Sequence, residues 1–168
     1  MNLPEIKGQI LVNNIFIDDE IMYFSINDFG SSSWITAYDF DSGKGNNVKI
    51  KCAYDGKLFK YQDGVGMMVS GYDNDGYNTN MGLRFFGYDA KANEFTEKED
   101  MSVDFPKNVR YFYAIYGAEF YCTNDTLCGI LIHINDGSKA YVEISLPNGE
   151  ITTFIPFKTN NEYYSPFG

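Results

Sequence analysis

The sequence predicts an all-β fold of antiparallel meander sheets, and three observations carry that expectation. Composition comes first: fourteen Tyr and fourteen Phe in 168 residues suit the pleated, half-buried surface of a sheet. Punctuation comes second. Sixteen Gly, with many Asn and Asp between the apolar runs, supply the left-handed positions that tight hairpins need. Recurrence is the third. The segment Trp34-Ile-Thr-Ala-Tyr38-Asp39-Phe40-Asp41-Ser-Gly43-Lys44 is an alternating strand running into an Asp-x-Asp-Ser-Gly turn. It returns, weakened, as Leu83-Arg-Phe-Phe-Gly-Tyr88-Asp89-Ala-Lys-Ala-Asn93-Glu94-Phe95. Self-similarity at a period of about fifty residues marks a set of like β-units.

The elements follow in order. A first unit, residues 10–54, has strands at 15–17 and 21–26 around Asp18-Asp19-Glu20, then at 34–40 and 48–52. In the last of these Val48, Ile50 and Cys52 face one way and Lys49 and Lys51 the other, the period of a half-buried strand. A second unit, 55–106, has a strand at 57–61 turning at Asp63-Gly64 into 65–72, followed by 81–88 and 95–99. The third, 107–157, has 109–116 turning at Gly117-Ala118-Glu119 into 120–122, then 129–134, 140–146 and 151–154. There Val142, Ile144 and Leu146 point inward against Tyr141, Glu143 and Ser145, and Ile130, Ile132 and Ile134 make another buried face. Turn signals every 8–12 residues or so belong to an all-β meander. Little or no helix is expected; the best place for one is 93–101. Residues 158–168 read as a C-terminal tail. The whole of 1–168 is long enough for one domain that buries roughly two-thirds of its unfolded surface.

Units of this length, each a strand, an Asp-x-x-(Ser)-Gly-Lys turn and another strand, resemble β-propeller blades. The resemblance is carried by Trp34–Lys44, by Leu83–Phe95 and more faintly by residues 109–134, and it implies four-stranded sheets arranged radially. Propellers close with roughly four to eight blades. Three units therefore imply an open, partial propeller or a curved sandwich, with sheet edges that the chain ends or another chain would cover.

Thirteen basic residues against twenty-three acidic ones give a net charge of −10. Such a surface repels nucleic-acid backbone and anionic lipid, so neither is expected as a direct partner. Part of the acidity has a local use: Asp18, Asp41, Asp55, Asp63, Asp89 and Asp136 fall at expected turns, where a carboxylate caps backbone N–H groups. The segment Met1-Asn-Leu-Pro-Glu-Ile-Lys lacks the basic and apolar regions of a secretion signal, and no apolar run nears the roughly 20 residues of a membrane span. Cys52, Cys122 and Cys128 sit in apolar strands; reduced thiols in a cytoplasmic protein are expected, a Cys122–Cys128 disulfide being the alternative.

No catalytic set emerges. His133 is the single histidine, so a multi-His metal site is impossible, and it reads as a wall or rim residue. The loop Tyr72-Asp73-Asn74-Asp75-Gly76-Tyr77-Asn78-Thr79-Asn80 fails as a calcium loop, because Tyr77 stands at a ligand position and the closing Glu is missing. Gly64-Val65-Gly66 opens no helix and cannot cradle phosphate. A non-enzymatic protein without cofactor or metal is expected.

The functional clue is regional. Residues 61–106 hold nine acidic side chains (Asp63, Asp73, Asp75, Asp89, Glu94, Glu97, Glu99, Asp100, Asp104) against Arg84, Lys91 and Lys98, a local charge of −6. Tyrosines are interleaved with them. Rigid aromatics supply contact area and carboxylates steer basic partners, so Tyr72, Asp73, Asp75, Tyr77, Tyr88, Glu97, Glu99 and Asp100 form the candidate partner-binding surface. The competing reading is a solvated face with core tyrosines. A small, acidic, aromatic-rich β-protein without catalytic residues resembles the bacterial immunity proteins of contact-dependent growth inhibition systems. That likeness of size, charge and absent chemistry implies a basic toxin domain as partner, a nuclease such as an RNase or tRNase. It would be inhibited by occlusion, with this chain a monomer in a heterodimer. The other reading is a carbohydrate- or ligand-binding β-module, or a fragment of a larger propeller, with Trp34 and tyrosines as stacking platforms.

Overall fold

Short alternating segments joined by tight turns pair most readily with their sequence neighbours, because the loop to be closed is then minimal. The computed structural model describes residues 11–27, 32–51, 56–70, 81–103, 112–113, 120–133 and 138–157. These form antiparallel sheets only, none closed into a barrel, and no helix occurs among them. The first sheet is β1 (Leu11–Asp18), β2 (Ile21–Asn27), β3 (Ser32–Asp39) and β4 (Lys44–Lys51), in that order. The second is β5 (Lys57–Tyr61), β6 (Gly64–Ser70), β7 (Met81–Asp89) and β8 (Glu94–Val103). After a short β9 (Phe112–Tyr113) comes the third: β10 (Phe120–Thr123), β11 (Thr126–His133), β12 (Lys139–Ser145) and β13 (Ile151–Phe157). Residues 93–101 thus belong to a turn and an extended strand.

The hairpins repeat from sheet to sheet. Asp18 pairs with Ile21, Tyr61 with Gly64 and Thr123 with Thr126, each pair closing a two-residue turn. The last hairpin of each sheet is longer and needs one left-handed residue: Gly43 at φ 67, Asn93 at φ 56 and Gly149 at φ 69. The Gly43 N–H donates to the Asp39 carbonyl at 3.0 Å, and the Gly149 N–H to that of Ser145 at 2.8 Å. Asp39 also accepts the Asp41 N–H at 2.9 Å, and Asp89 accepts those of Lys91 and Ala92 at 2.8 and 3.0 Å. The turn repeat visible twice in the sequence is therefore present three times. Its third copy, Ser145–Gly149, lacks the aspartate that marks the other two.

The third sheet corrects two expectations. Phe112 and Tyr113, the described part of 109–116, do not pair in a hairpin with 120–122. Instead β9 and β10 lie along the same side of β11, Phe112 opposite His133 and Phe120 opposite Gly129. The inward face of β11 is also not that of Ile130. Cross-strand partners share a face, and the inward Ala140, Val142 and Ile144 pair with Leu131, Gly129 and Leu127. Leu131 is buried and Ile130 only half-buried.

Two cores flank the second sheet. Leu58, Val65, Met67, Val69 and Phe86 meet Tyr23, Ile35, Ala37 and Ile50 of the first sheet. On the opposite face Phe59, Met68, Leu83, Phe85 and Val103 meet Phe120, Leu127, Leu131, Val142 and Ile144 of the third. Burial on both faces explains why β6 reads Val65-Gly-Met67-Met68-Val69 with no polar alternation. The far face of the first sheet is also covered: Phe24, Ile26 and Trp34 are buried there, with Lys49 Nζ 5.4 Å from the Trp34 ring centroid.

A shared device joins first and second strands. Phe59 lies opposite Gly66, and Phe120 opposite Gly129, each ring occupying the space above the glycine. A Cβ at either glycine would overlap the ring. Gly66→Ala and Gly129→Ala should therefore each destabilise the fold by about 1–3 kcal/mol in denaturant titrations, the ordinary cost of overpacking. An alanine tolerated at both without loss would show that these rings are free to move aside.

Candidate functional site

The residues singled out from sequence fall in three places. Tyr72, Asp73, Asp75 and Tyr77 lie outside the described residues. Tyr88 lies one residue before the end of β7 and is committed to packing: its ring lies 5.0 Å from Phe95 and edge-on to Tyr23 at 6.4 Å, and its phenol donates to Asn93 Oδ1 at 2.7 Å. Glu97, Glu99 and Asp100 lie on β8, an edge strand, with Asp100 at the register position opposite Arg84.

Strand β8 is where the sequence gathers charge. Glu94, Thr96, Glu97, Lys98 and Glu99 are exposed, and a bulge leaves Lys98 as the extra residue, since Phe85 pairs with Glu99 and Phe86 with Glu97. Arg84 Nε donates to Glu97 at 2.7 Å, and Lys98 Nζ to Asp63 at 2.6 Å. The Lys98 bond, with a backbone bond and the Lys98 charge behind it, holds the Asp63 carboxyl below its usual range. A charged, bulged edge resists pairing with stray strands. It also presents Glu94, Glu97 and Glu99 on one accessible border of the middle sheet.

A second feature was missed from sequence. The first strands of the three sheets, β1, β5 and β10, pack beside one another as the inner strands of propeller blades do. Ile15 and Ile17 of β1, each 62% exposed, stand open there. A bulge at Asn14, φ 42, breaks the register of β1 just before Ile15. Two concavities of about 440 and 510 Å³ adjoin at Lys60 and Cys122. Asn14, Ile17, Leu58 and Phe120 line the first, and Thr123 and Asp125 the second. Lys60 bridges the sheets through an ion pair with Asp18, and that hydrogen bond raises its pKa and keeps it charged. Asn14 Oδ1 is buried without a hydrogen-bond partner. The signal for this groove was present in the sequence as three apolar first strands, but their convergence depends on tertiary packing.

The Cys122 thiol donates to the Thr123 carbonyl at 2.8 Å, and burial pushes its pKa up, which keeps it protonated and a poor nucleophile. Cys122 and Cys128 are both free, so the disulfide alternative does not hold. Among the described residues no group of three or more His, Cys, Asp or Glu could hold a metal ion. No helix among them is long and apolar enough to cross a membrane. Trp34, 8% exposed, offers no free face for stacking.

No protein-family model and no curated protein matches the chain. Among solved structures the fold is similar to one from a study of two prolyl endopeptidases and the role of inter-domain dynamics in their catalysis and specificity. The TM-score is 0.54 at 13% identity, over 88% of this chain and 21% of that one. At that identity the likeness is one of fold, to blades of a propeller domain, and the chain spans about a fifth of its neighbour.

Buried phenols give the middle of the molecule a pH signature. Burial, then the charge of Asp18, pushes the Tyr23 phenol from 10.0 up to about 12, and burial likewise raises Tyr61 and Tyr88. A phenol whose folded pKa lies above its unfolded value contributes full stability below the unfolded value and loses it as the pH climbs through the folded one. Stability should thus fall between pH 10 and about 12. Phenolate absorbance should show a late class of tyrosines over that range; uniform titration near 10 in the native protein would contradict the packing described.

Proposed function

We propose that this chain is a binding protein whose work is recognition of a basic macromolecular partner by an acidic border on a rigid three-sheet scaffold, without catalysis of its own. One observation carries the reading: Glu94, Glu97 and Glu99 stand exposed along the edge strand of the best-buried sheet, in a chain of net charge −10. A sheet buried on both faces holds those carboxylates at fixed spacing, so little ordering cost is left for the moment of binding. Negative potential then accelerates encounter with a cationic surface, and close ion pairs set the register. The partner class this favours is a basic toxin domain, in particular a nuclease whose substrate cleft is itself built to attract phosphates. The carboxylates of β8 would occupy that cleft and exclude nucleic acid, which makes the chain an immunity-type inhibitor acting in the cytoplasm, each copy binding one toxin domain.

A second reading is supported by the groove between β1, β5 and β10. Inner strands with exposed Ile15 and Ile17 suit a chain that forms one portion of a larger propeller. That reading places the function in an assembled whole.

The test is direct. Mixed with a candidate basic nuclease domain, the protein should form a complex and protect nucleic acid from cleavage. Charge reversal by Glu97→Lys with Glu99→Lys should weaken that complex by about tenfold or more and reduce its sensitivity to salt. Unchanged affinity in the folded double variant would reject β8 as the contact. Absence of any complex with cationic domains in dilute buffer would reject the reading altogether.

A further inference from the structure

Strand alternation leaves the third sheet with an outer face opposite the core, and the cross-strand register sorts that face into rows. Ile130, Tyr141 and Ile155 make the middle row. On one side of it lie Tyr121, Cys128, Glu143 and Thr153, and on the other Lys139 and Phe157. Tyr121 is 64% exposed, Ile155 50% and Phe157 43%, so three of the seven large apolar side chains exposed among the described residues share this face. The corresponding outer face of the first sheet is covered, since Phe24, Ile26 and Trp34 are buried there. An exposed apolar sheet face of this kind marks an interaction surface.

Its charges say what it meets. Among the described residues only Lys139 and Glu143 bring charge to the face, so it is locally neutral in a chain of net charge −10. Both oxygens of Glu143 are held: Oε2 accepts from Thr153 Oγ1 at 2.5 Å and Oε1 from the Tyr141 hydroxyl at 2.8 Å. Those two bonds, Thr153 first, keep the carboxyl below its usual range, and the bond to Glu143 drives the Tyr141 phenol well above its own. The carboxylate is therefore ionised and fixed in position at the border of an apolar surface. Lys139 and Glu143 stand two residues either side of Tyr141 on the same strand and face.

We propose that this face is the interface of a symmetric homodimer in which two copies of the third sheet pack face to face about a two-fold axis crossing β12 at Tyr141. That operation lays the Ile130–Tyr141–Ile155 row against its own copy. It sets β12 antiparallel to its counterpart, so each Lys139 faces the other chain's Glu143, and the salt bridge forms twice. Isologous contacts of this sort require a self-complementary patch, and opposite charges equally spaced about an apolar centre are one. An unlike partner would need no such balance. Face-to-face sheet packing is the arrangement that already joins the three sheets within the chain. Strand β8 lies on another sheet and stays free, so the dimer stands or falls independently of any basic partner.

Light scattering and sedimentation over a micromolar concentration series test it, with circular dichroism confirming that each variant folds. The unmodified chain should show a concentration-dependent dimer. Lys139→Glu sets like charges together twice and should weaken dimerisation by ~100-fold, about two powers of ten for a few kcal/mol of repulsion. The double variant K139E/E143K should restore it, because the reversed pair is again complementary. Phe157→Ser, which leaves the Glu143 hydrogen bonds alone, should also weaken it. A chain that stays monomeric at high micromolar concentration overturns the proposal. So does a dimer indifferent to Lys139→Glu, or a folded double variant that fails to recover.

Discussion

The double burial of the second sheet is the constraint on which the rest of the molecule depends. Adjacent residues of one strand must point to opposite faces, so Leu58 and Phe59, neighbours on β5, enter different cores. The same is true of Met67 and Met68, and of Phe85 and Phe86. Each fully buried side chain of this size contributes about 1.5–3 kcal/mol relative to exposure. A sheet with two such faces cannot stand alone in water. It requires the first sheet on one side and the third on the other, and each flanking sheet in turn needs only one apolar face to dock. Three meanders that would be marginal singly thereby become one cooperative body.

Glycine lets those faces close. Where Phe59 and Phe120 cross over Gly66 and Gly129, the ring lies directly on the neighbouring strand's backbone. The first sheet fills the position of the Phe59–Gly66 pair, two residues before the turn, differently: Phe16 stacks on Tyr23 at 5.3 Å. One position in two like units thus carries different chemistry for the same packing purpose, one reason sequence similarity among the units is faint.

Much of the architecture was legible because it is local. Turn residues, alternation and the Asp39–Gly43 and Asp89–Asn93 repeat are readable within a few residues of one another. The third copy escaped notice since Ser145 stands where the others have aspartate. The pairing of β9 escaped because it is decided by β11, a strand distant in sequence. The inward choice between Ile130 and Leu131 is likewise settled by partners on β12, both residues being equally apolar. Candidate sites fared according to the same rule. Glu97 and Glu99 could be placed on an exposed strand from charge alone. Tyr88 could not be told from a surface aromatic without knowing that Phe95 and Asn93 hold it.

Charge then separates the surfaces that size and hydrophobicity would confuse. Like charges repel over roughly 8 Å at physiological salt, so a protein of net charge −10 can approach its own copy only through a patch that is locally neutral. The border at β8 is not such a patch: Arg84 and Lys98 offset Glu97 and Asp63, while Glu94 and Glu99 add uncompensated charge. A border of that charge repels its own copy and is the one assigned above to the proposed basic partner. The outer face of the third sheet has the opposite character, one lysine and one glutamate set in apolar surface, and its attraction is short-ranged. Acidity that opposes random self-association elsewhere is thereby consistent with the proposed contact between copies, which uses a face where, among the described residues, the charges cancel.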